Sequence, residues 1–341
     1  MRNVREWVGA VAVAALVTAG LPAGASGGEL TKVRFSHFPA FHTLAVFVAH
    51  QKGFYKEEGL DVEMIEAASG AVQPIQLLAG EVDVTSTELQ NVVRLQHEGK
   101  RIIYVFDLVK RMSMDFVVHN DVLAKNGIKP SDPLDRKLQS LKGLKIGYTS
   151  PNSPSDVYSR FYLQKAGLVP GKDAEMVSVG SPPSLVAALK TKRIDAFQLT
   201  APTSTVVEKE GFGTVIIHGS RGEVKELDDY PYYGMVVQES FAAQKTDVLK
   251  RFIRATRKGV AFMRSDLDGT VQAVQAFFKR MSPDILKAGV QTALPAYSDD
   301  GRINEQIVTR FLDLAYSVKL LTVPTRPSPK EGVLWTNRFI E

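Results

Sequence analysis

The sequence predicts an α/β protein built from two doubly wound lobes, joined by a two-strand hinge, with C-terminal helices packed on the first lobe. Three observations predict it. Short apolar strands alternate with helical segments from Lys32 to His218, the pattern of a largely parallel sheet with helices on both faces. The alternation then repeats. Glu63-Met64-Ile65 recurs as Glu175-Met176-Val177, Val82-Asp83 as Ile194-Asp195 and Leu77 as Leu189, each at an offset of 112 residues, and internal self-similarity dictates architecture. Finally, 341 residues of which 44% are hydrophobic supply more than one core.

In order, Lys32–Ser36 reads as a strand and Thr43–Lys52 as a helix stopped by Gly53, since glycine readily takes the left-handed turn that ends a helix. Asp61–Glu66 is a strand, Val72–Leu78 a helix, Val82–Val84 a strand, Glu88–Glu98 a helix, and Ile102–Phe106 and Phe116–His119 are strands. The second round has strands at Lys145–Tyr148, Glu175–Val179, Ala196–Leu199 and Thr214–His218, with helices at Asp156–Ala166, Ser184–Lys190 and Thr203–Glu210 between them. By the same offset Ser36-His37-Phe38 maps onto Tyr148-Thr149-Ser150. A strand over Tyr232–Gln238 returns the chain to the first lobe. Helices follow at Asp247–Arg264, Gly269–Lys279, Asp284–Thr292 and Asn304–Val318, and the proline-bearing stretch Leu321–Pro329 is an extended strap. The expected organisation is a leader over 1–25, the first part of lobe 1 over 29–118, lobe 2 over 119–231, and the return with the C-terminal helices over 232–341. Phe116–Asp121 and Asp229–Val236 are the expected hinge crossings.

The N-terminus carries Arg2 and Arg5, an apolar run Val8–Ala19, and small residues at Ala23 and Ala25, the layout of a signal peptide cleaved after Ala25. The alternative is a membrane anchor, but a span needs roughly 20 apolar residues and this run of twelve is broken by Gly9. Removing the leader takes two positive charges and one negative, lowering the formal charge from +5 to +4. Basic residues form only short clusters such as Lys190–Arg193, without the basic stripe and interleaved aromatics of a nucleic-acid binder. With no cysteine, disulfides, thiolate metal sites and a cysteine nucleophile are excluded.

Several motifs, in order, resemble one family. Phe47-Val48-Ala49-His50-Gln51-Lys52-Gly53-Phe54-Tyr55-Lys56-Glu57-Glu58-Gly59-Leu60-Asp61-Val62 resembles the opening signature of periplasmic binding proteins for sulfonates, taurine, nitrate and thiamine-pyrimidine precursors. Leu77-Leu78-Ala79-Gly80-Glu81-Val82-Asp83-Val84, then Leu141-Lys142-Gly143-Leu144-Lys145-Ile146-Gly147, then Ala188-Leu189 through Ile194-Asp195-Ala196 to Pro202 resemble its later ones. The resemblance spans nearly the whole chain after the leader. It implies the bilobal periplasmic-binding-protein fold, closing by hinge motion over a small-molecule ligand and feeding an ABC permease and ATPase at the inner membrane. It implies a periplasmic, monomeric protein with no cofactor, metal or nucleic-acid partner. The family often places Trp and an acidic residue just before the proline at Pro202. Thr200 and Ala201 stand there instead, which implies a roomier, less acidic wall.

In open α/β sheets ligands sit beyond the carboxyl ends of the strands, so the strand-end loops are the candidates, and the repeat pairs them. The residues singled out are His37, Phe38, Phe41, His42, Ser69, Gly70, Ser86, Thr87, Ser150, Asn152, Ser153, Ser155, Thr200 and Tyr232. Hydroxyls before helices suit an anion, because a helix N-terminus offers unpaired N–H groups and positive partial charge. Helix capping selects the same residue types. Aromatic residues, Tyr148, Tyr158 and Tyr233 among them, suit an apolar wall, although core packing accounts better for Tyr158. His37 and His42 lie five apart without a third ligand, short of a metal site. His218-Gly219-Ser220-Arg221-Gly222 lacks the first glycine of a nucleophile elbow, and His97-Glu98 has no second histidine four residues after His97. A pyrimidine synthase, the enzyme branch of the family, relies on cysteines absent here. The expected activity is therefore binding of a sulfonate- or carboxylate-like anion, with a pyrimidine-like heterocycle as the alternative ligand and sensing as the alternative role.

Overall fold

A computed structural model describes residues 29–341 except 39, 68, 69 and 152. The expected leader, and the candidates Ser69 and Asn152, lie outside the described residues. No described helix is long and apolar enough to cross a membrane.

Ten strands form two five-stranded sheets. They are β1 (Thr31–His37), β2 (Leu60–Glu66), β3 (Val84–Glu88), β4 (Ile102–Val109), β5 (Met114–His119), β6 (Lys145–Tyr148), β7 (Glu175–Ser178), β8 (Ala196–Thr200), β9 (Gly213–Ile217) and β10 (Tyr233–Gln238). The first sheet runs β2-β1-β3-β10-β4 and the second β7-β6-β8-β5-β9. Within each, β1/β2/β3 and β6/β7/β8 pair in parallel. β10 and β5 run antiparallel to both neighbours, so the sheets are mixed rather than largely parallel. Helices cover them, as predicted, and the bilobal α/β fold follows.

The duplication is visible in individual hydrogen bonds. The Asp83 carboxylate accepts from the Arg34 N–H at 2.8 Å, and the Asp83 N–H donates back to the Arg34 carbonyl at 2.9 Å. Asp195 makes the same pair of bonds with Lys145, both at 2.8 Å. Each aspartate thus staples the parallel β-α-β unit of its lobe. The register Phe35↔Met64 corresponds to Ile146↔Met176, so the second strands are offset by 112 (176 − 64) but the first strands by 111 (146 − 35). His37 therefore matches Tyr148, one residue from the correspondence the sequence suggests.

The lobe boundary also shifts. β5 belongs to the second sheet, so the chain leaves the first sheet after Val109, not after residue 118, and crosses through 110–113. It comes back through 218–232. These two crossings run side by side. Tyr230 and Tyr232 donate N–H bonds to the carbonyls of Lys110 (2.8 Å) and Val109 (3.1 Å), and Arg111 pairs with Asp228. β5 is buried along its whole length. It shows no inside-outside alternation, so nothing in its sequence tells one sheet from the other.

The C-terminal helices pack mainly on the first lobe. Helix Thr246–Ser265 lies against helix Leu44–Gln51. Gly259 permits this approach, since a Cβ there would sit 2.2 Å from the Ala45 carbonyl oxygen. Helix Pro283–Ala293 also reaches helix Thr203–Lys209 of the second lobe. Beyond the expected strap, Leu334–Thr336 runs beside β4 and bonds both backbone groups of Tyr104, covering an edge that would otherwise be open to pairing.

Candidate ligand-binding cleft

At the carboxyl ends of the parallel strands the two sheets face one another across a cleft of about 700 Å³. The first lobe contributes Phe38 and His42 after β1, Gly70 and Ala71 before helix Val72–Leu78, and Thr87 and Glu88 where β3 ends. The second lobe contributes Thr149, Ser150 and Ser153 after β6, and Pro182 after β7. Tyr233, the first residue of the returning strand, sits between them. Ile75, 63% exposed, adds apolar surface on the first-lobe wall. A cavity walled by apolar groups with a few placed polar ones is the usual form of a small-molecule site.

Helix Pro154–Lys165 begins with proline, and the Ser153 hydroxyl caps it by accepting from the Asp156 N–H. Ser153, Ser155 and Thr149 form a closed triangle of hydroxyls, 2.9–3.1 Å on each side. Ser155 itself is buried and accepts from the Thr149 N–H at 3.1 Å, so it holds the loop instead of facing the cleft. On the opposite wall, Asn91 donates to Thr87 Oγ1 at 2.9 Å and to Glu88 Oε2 at 3.1 Å. Helix Leu89–His97 starts here with no side chain capping it.

His37 and His42 are neutral. Burial pushes His42 down to about 3. Burial, reinforced by nearby His50, pushes His37 down to about 4. A desolvated imidazole resists protonation, so these two histidines add no charge to attract an anion. The His42 ring lies over Tyr233, with centroids 3.7 Å apart.

Of the candidates from sequence, Phe38, His42, Gly70, Thr87, Ser150 and Ser153 line this cleft. Phe41 and Thr200 do not. They line a small closed chamber behind it, shared with His42, Ser113, Ser220 and Tyr297. His37 is buried and faces a different groove, with Glu66, Phe277 and Arg280. Ser86 is interior, because Thr85-Ser86-Thr87 is not a loop but part of β3, paired with β10. Tyr232 is buried in the return crossing. The sequence reading missed Glu88, Asn91 and Arg94, which line the cleft. Glu88 was open to detection as the residue directly after a hydroxyl-rich strand end, but reading it as the first residue of a helix hid it.

The model of the NMT1-like family matches residues 26–274. The chain belongs to the NMT1-like family. This NMT1-like protein is 26% identical over 205 residues to the bicarbonate-binding protein CmpA of Synechococcus elongatus, an alignment covering 56% of the chain but only 45% of the relative. The chain therefore spans less than half the length of that curated relative. A solved protein of Bordetella bronchiseptica RB50 superposes with a TM-score of 0.67 at 26% identity, covering 91% of this chain and 96% of the other. The periplasmic aliphatic sulphonate-binding protein SsuA of Escherichia coli superposes with a TM-score of 0.68 at 17% identity, covering 86% and 94%. At that identity the likeness to SsuA is one of fold.

Proposed function

We propose that this NMT1-like protein is the solute-binding component of an ABC importer. On this reading it captures a small organic or inorganic anion between its lobes and presents it to a membrane permease with an associated ATPase, acting outside the cytoplasmic membrane after removal of its leader. The observation that carries the reading is that one cleft gathers strand-end loops of both lobes, with hydroxyls and helix starts on facing walls. Only a ligand held by both walls gains from their closing together, which is how a hinged receptor reports occupancy. The names of relatives and structural neighbours, binding proteins for bicarbonate and sulphonate, support an anion. Among its described residues the cleft offers dipoles and hydroxyls without a nucleophile-base pair, which supports capture over catalysis. A second reading, a flat heterocycle, is favoured by the Phe38 and Tyr233 rings on the cleft wall.

A thermal-shift screen of the purified chain against bicarbonate, nitrate, methanesulfonate, taurine and an aminopyrimidine tests this. A true ligand at a hundredfold excess over its Kd stabilises by roughly 2.7 kcal/mol. A shift with an anion, reduced in a Thr87→Ala, Ser150→Ala double variant, is the expected result. A shift with the aminopyrimidine alone selects the second reading. If no compound shifts the melt, or the double variant responds like the parent, the cleft is not the binding site.

A further inference from the structure

Glu88 stands where β3 gives way to helix Leu89–His97, in register with Tyr233 of β10. It lines the cleft, its carboxyl half-buried and held by Asn91. Among the described residues no ion pair is made to it. Arg94, the nearest cation on the same helix, is turned to the Leu320 carbonyl, to which it donates at 2.6 Å. Tyr233 of β10 stands beside it in the cleft, and the hydroxyls of Tyr230 and Tyr232 in the return crossing and of Tyr158 in helix Pro154–Lys165 lie close enough to feel its charge, Tyr158 and Tyr230 bonding each other. Burial holds all four well above the ordinary tyrosine range, so they carry no charge. Glu98 lines the exposed rim, and His42 over Tyr233 is neutral.

A carboxylate so placed and an anionic ligand cannot share a desolvated cleft without strong repulsion; one of two like charges must be neutralised, and a proton on the carboxyl does this. We infer that Glu88 is a specificity-determining residue of the cleft and acts in its protonated form, donating a hydrogen bond to the bound anion, so that capture of the anion takes up one proton. The inference rests on the cleft taking an anion. Desolvation, opposed by Arg94 and the Asn91 amide, already raises the Glu88 carboxyl to about 7. An anion beside it raises it further. Affinity is then full below this value and falls as pH rises through it, about tenfold per pH unit for one coupled proton.

The experiment is calorimetric titration of the full chain with methanesulfonate and with nitrate, both of fixed charge, at about pH 6 and about pH 8.5. Each is run in two buffers of different ionisation enthalpy, so that protons exchanged are counted. The wild type is expected to take up protons at the higher pH and to lose at least about tenfold in affinity there. Glu88→Gln, which keeps a donor without a charge, is expected to bind equally at both and to exchange no proton. Wild-type binding that is indifferent to pH, with no proton uptake, overturns the role of Glu88 and leaves the anion reading standing. Proton release on anion binding, or anion affinity that rises with pH, likewise overturns the role of Glu88. Failure of both wild type and variant to bind either anion at either pH overturns the anion reading itself. The wild-type proton count decides the matter even if the variant does not fold.

Discussion

The Tyr297 hydroxyl donates to the Phe41 carbonyl at 2.7 Å while accepting from the Leu44 N–H at 2.8 Å. A residue from the C-terminal third thus fixes the turn after β1 that carries Phe38 and His42 into the cleft. Tyr297→Phe keeps the ring and leaves a buried carbonyl and a buried N–H without this partner. Unpartnered buried groups cost about 1–3 kcal/mol each. We expect denaturant unfolding to show a loss of that order, with weaker binding of any ligand that touches His42. A variant as stable as the parent would show that the turn is held elsewhere.

Ser86 and Ser153 are predicted to behave oppositely, although both are hydroxyls near a strand end. Ser86 is interior, between Tyr233 and the Gln73 amide. Ser86→Ala should cost about 1 kcal/mol in stability with little change in affinity. Ser153→Ala removes a helix cap that also lines the cleft; it should lose about 1 kcal/mol and also weaken binding. Paired melts and titrations separate the two, and equal effects on affinity would contradict the assignment of Ser86 to the interior.

Two buried carboxyls make stability pH-dependent. Burial raises Asp107 to about 8, against the pull of the Tyr104 hydroxyl. Burial also raises Asp115 to about 7, against the pull of Ser204. Unfolded, both ionise near the ordinary value of 3.8. Between roughly pH 4 and their folded values the native state holds protons that the unfolded state has lost, so stability falls as pH rises across that window and levels off above it, by up to about 1.4 kcal/mol per pH unit for each group. Asp107→Asn can keep the 2.7 Å bond from Tyr104 without the titration. Urea unfolding at about pH 5 and about pH 8 should show a shallower slope in this variant and a gain in stability at the higher pH. An unchanged slope would mean that Asp107 is ionised in the folded protein.

Gly234 lies where β10 passes over Tyr104. A Cβ there would come 2.1 Å from the tyrosine ring and 2.4 Å from the Phe106 carbonyl oxygen. Gly234→Ala cannot be absorbed by one flexible side chain and should destabilise by about 3 kcal/mol or more, as overpacking against backbone does. A melt within a degree or two of the parent's would show that β10 can shift away from Tyr104.

The duplication was legible because it is written in residues whose role is local: Asp83 and Asp195 each bond the first strand of the parallel β-α-β unit in their own lobe, so the same letters recur at nearly the same spacing. The sheet to which β5 belongs was not legible, since a strand buried on both sides carries no mark of its neighbours. Of the candidates that are described, half line the cleft and half do not, for a related reason. Ser86, Ser155 and Ser153 share a composition, but only the partner strand or helix decides whether a hydroxyl turns inward to bond backbone or outward to meet solvent. Glu88 escaped because its importance comes from a cleft in which it meets Tyr233, a residue far along the chain that only the β3–β10 pairing brings beside it.

The interleaved strand order bears on how the chain acquires its shape. β4 has one strand partner within its sheet, and that partner is β10, synthesised only after the entire second lobe. Until then β3 and β4 have nothing to join them, and β5 has already left for the other sheet. The first half therefore cannot complete itself from a continuous stretch of sequence, whereas the second sheet draws all its strands, β5 to β9, from one. Folding must close long loops before the first sheet is whole, a slow kind of assembly. A chain cut anywhere before residue 238 would present an unfinished sheet with bare backbone at its edge.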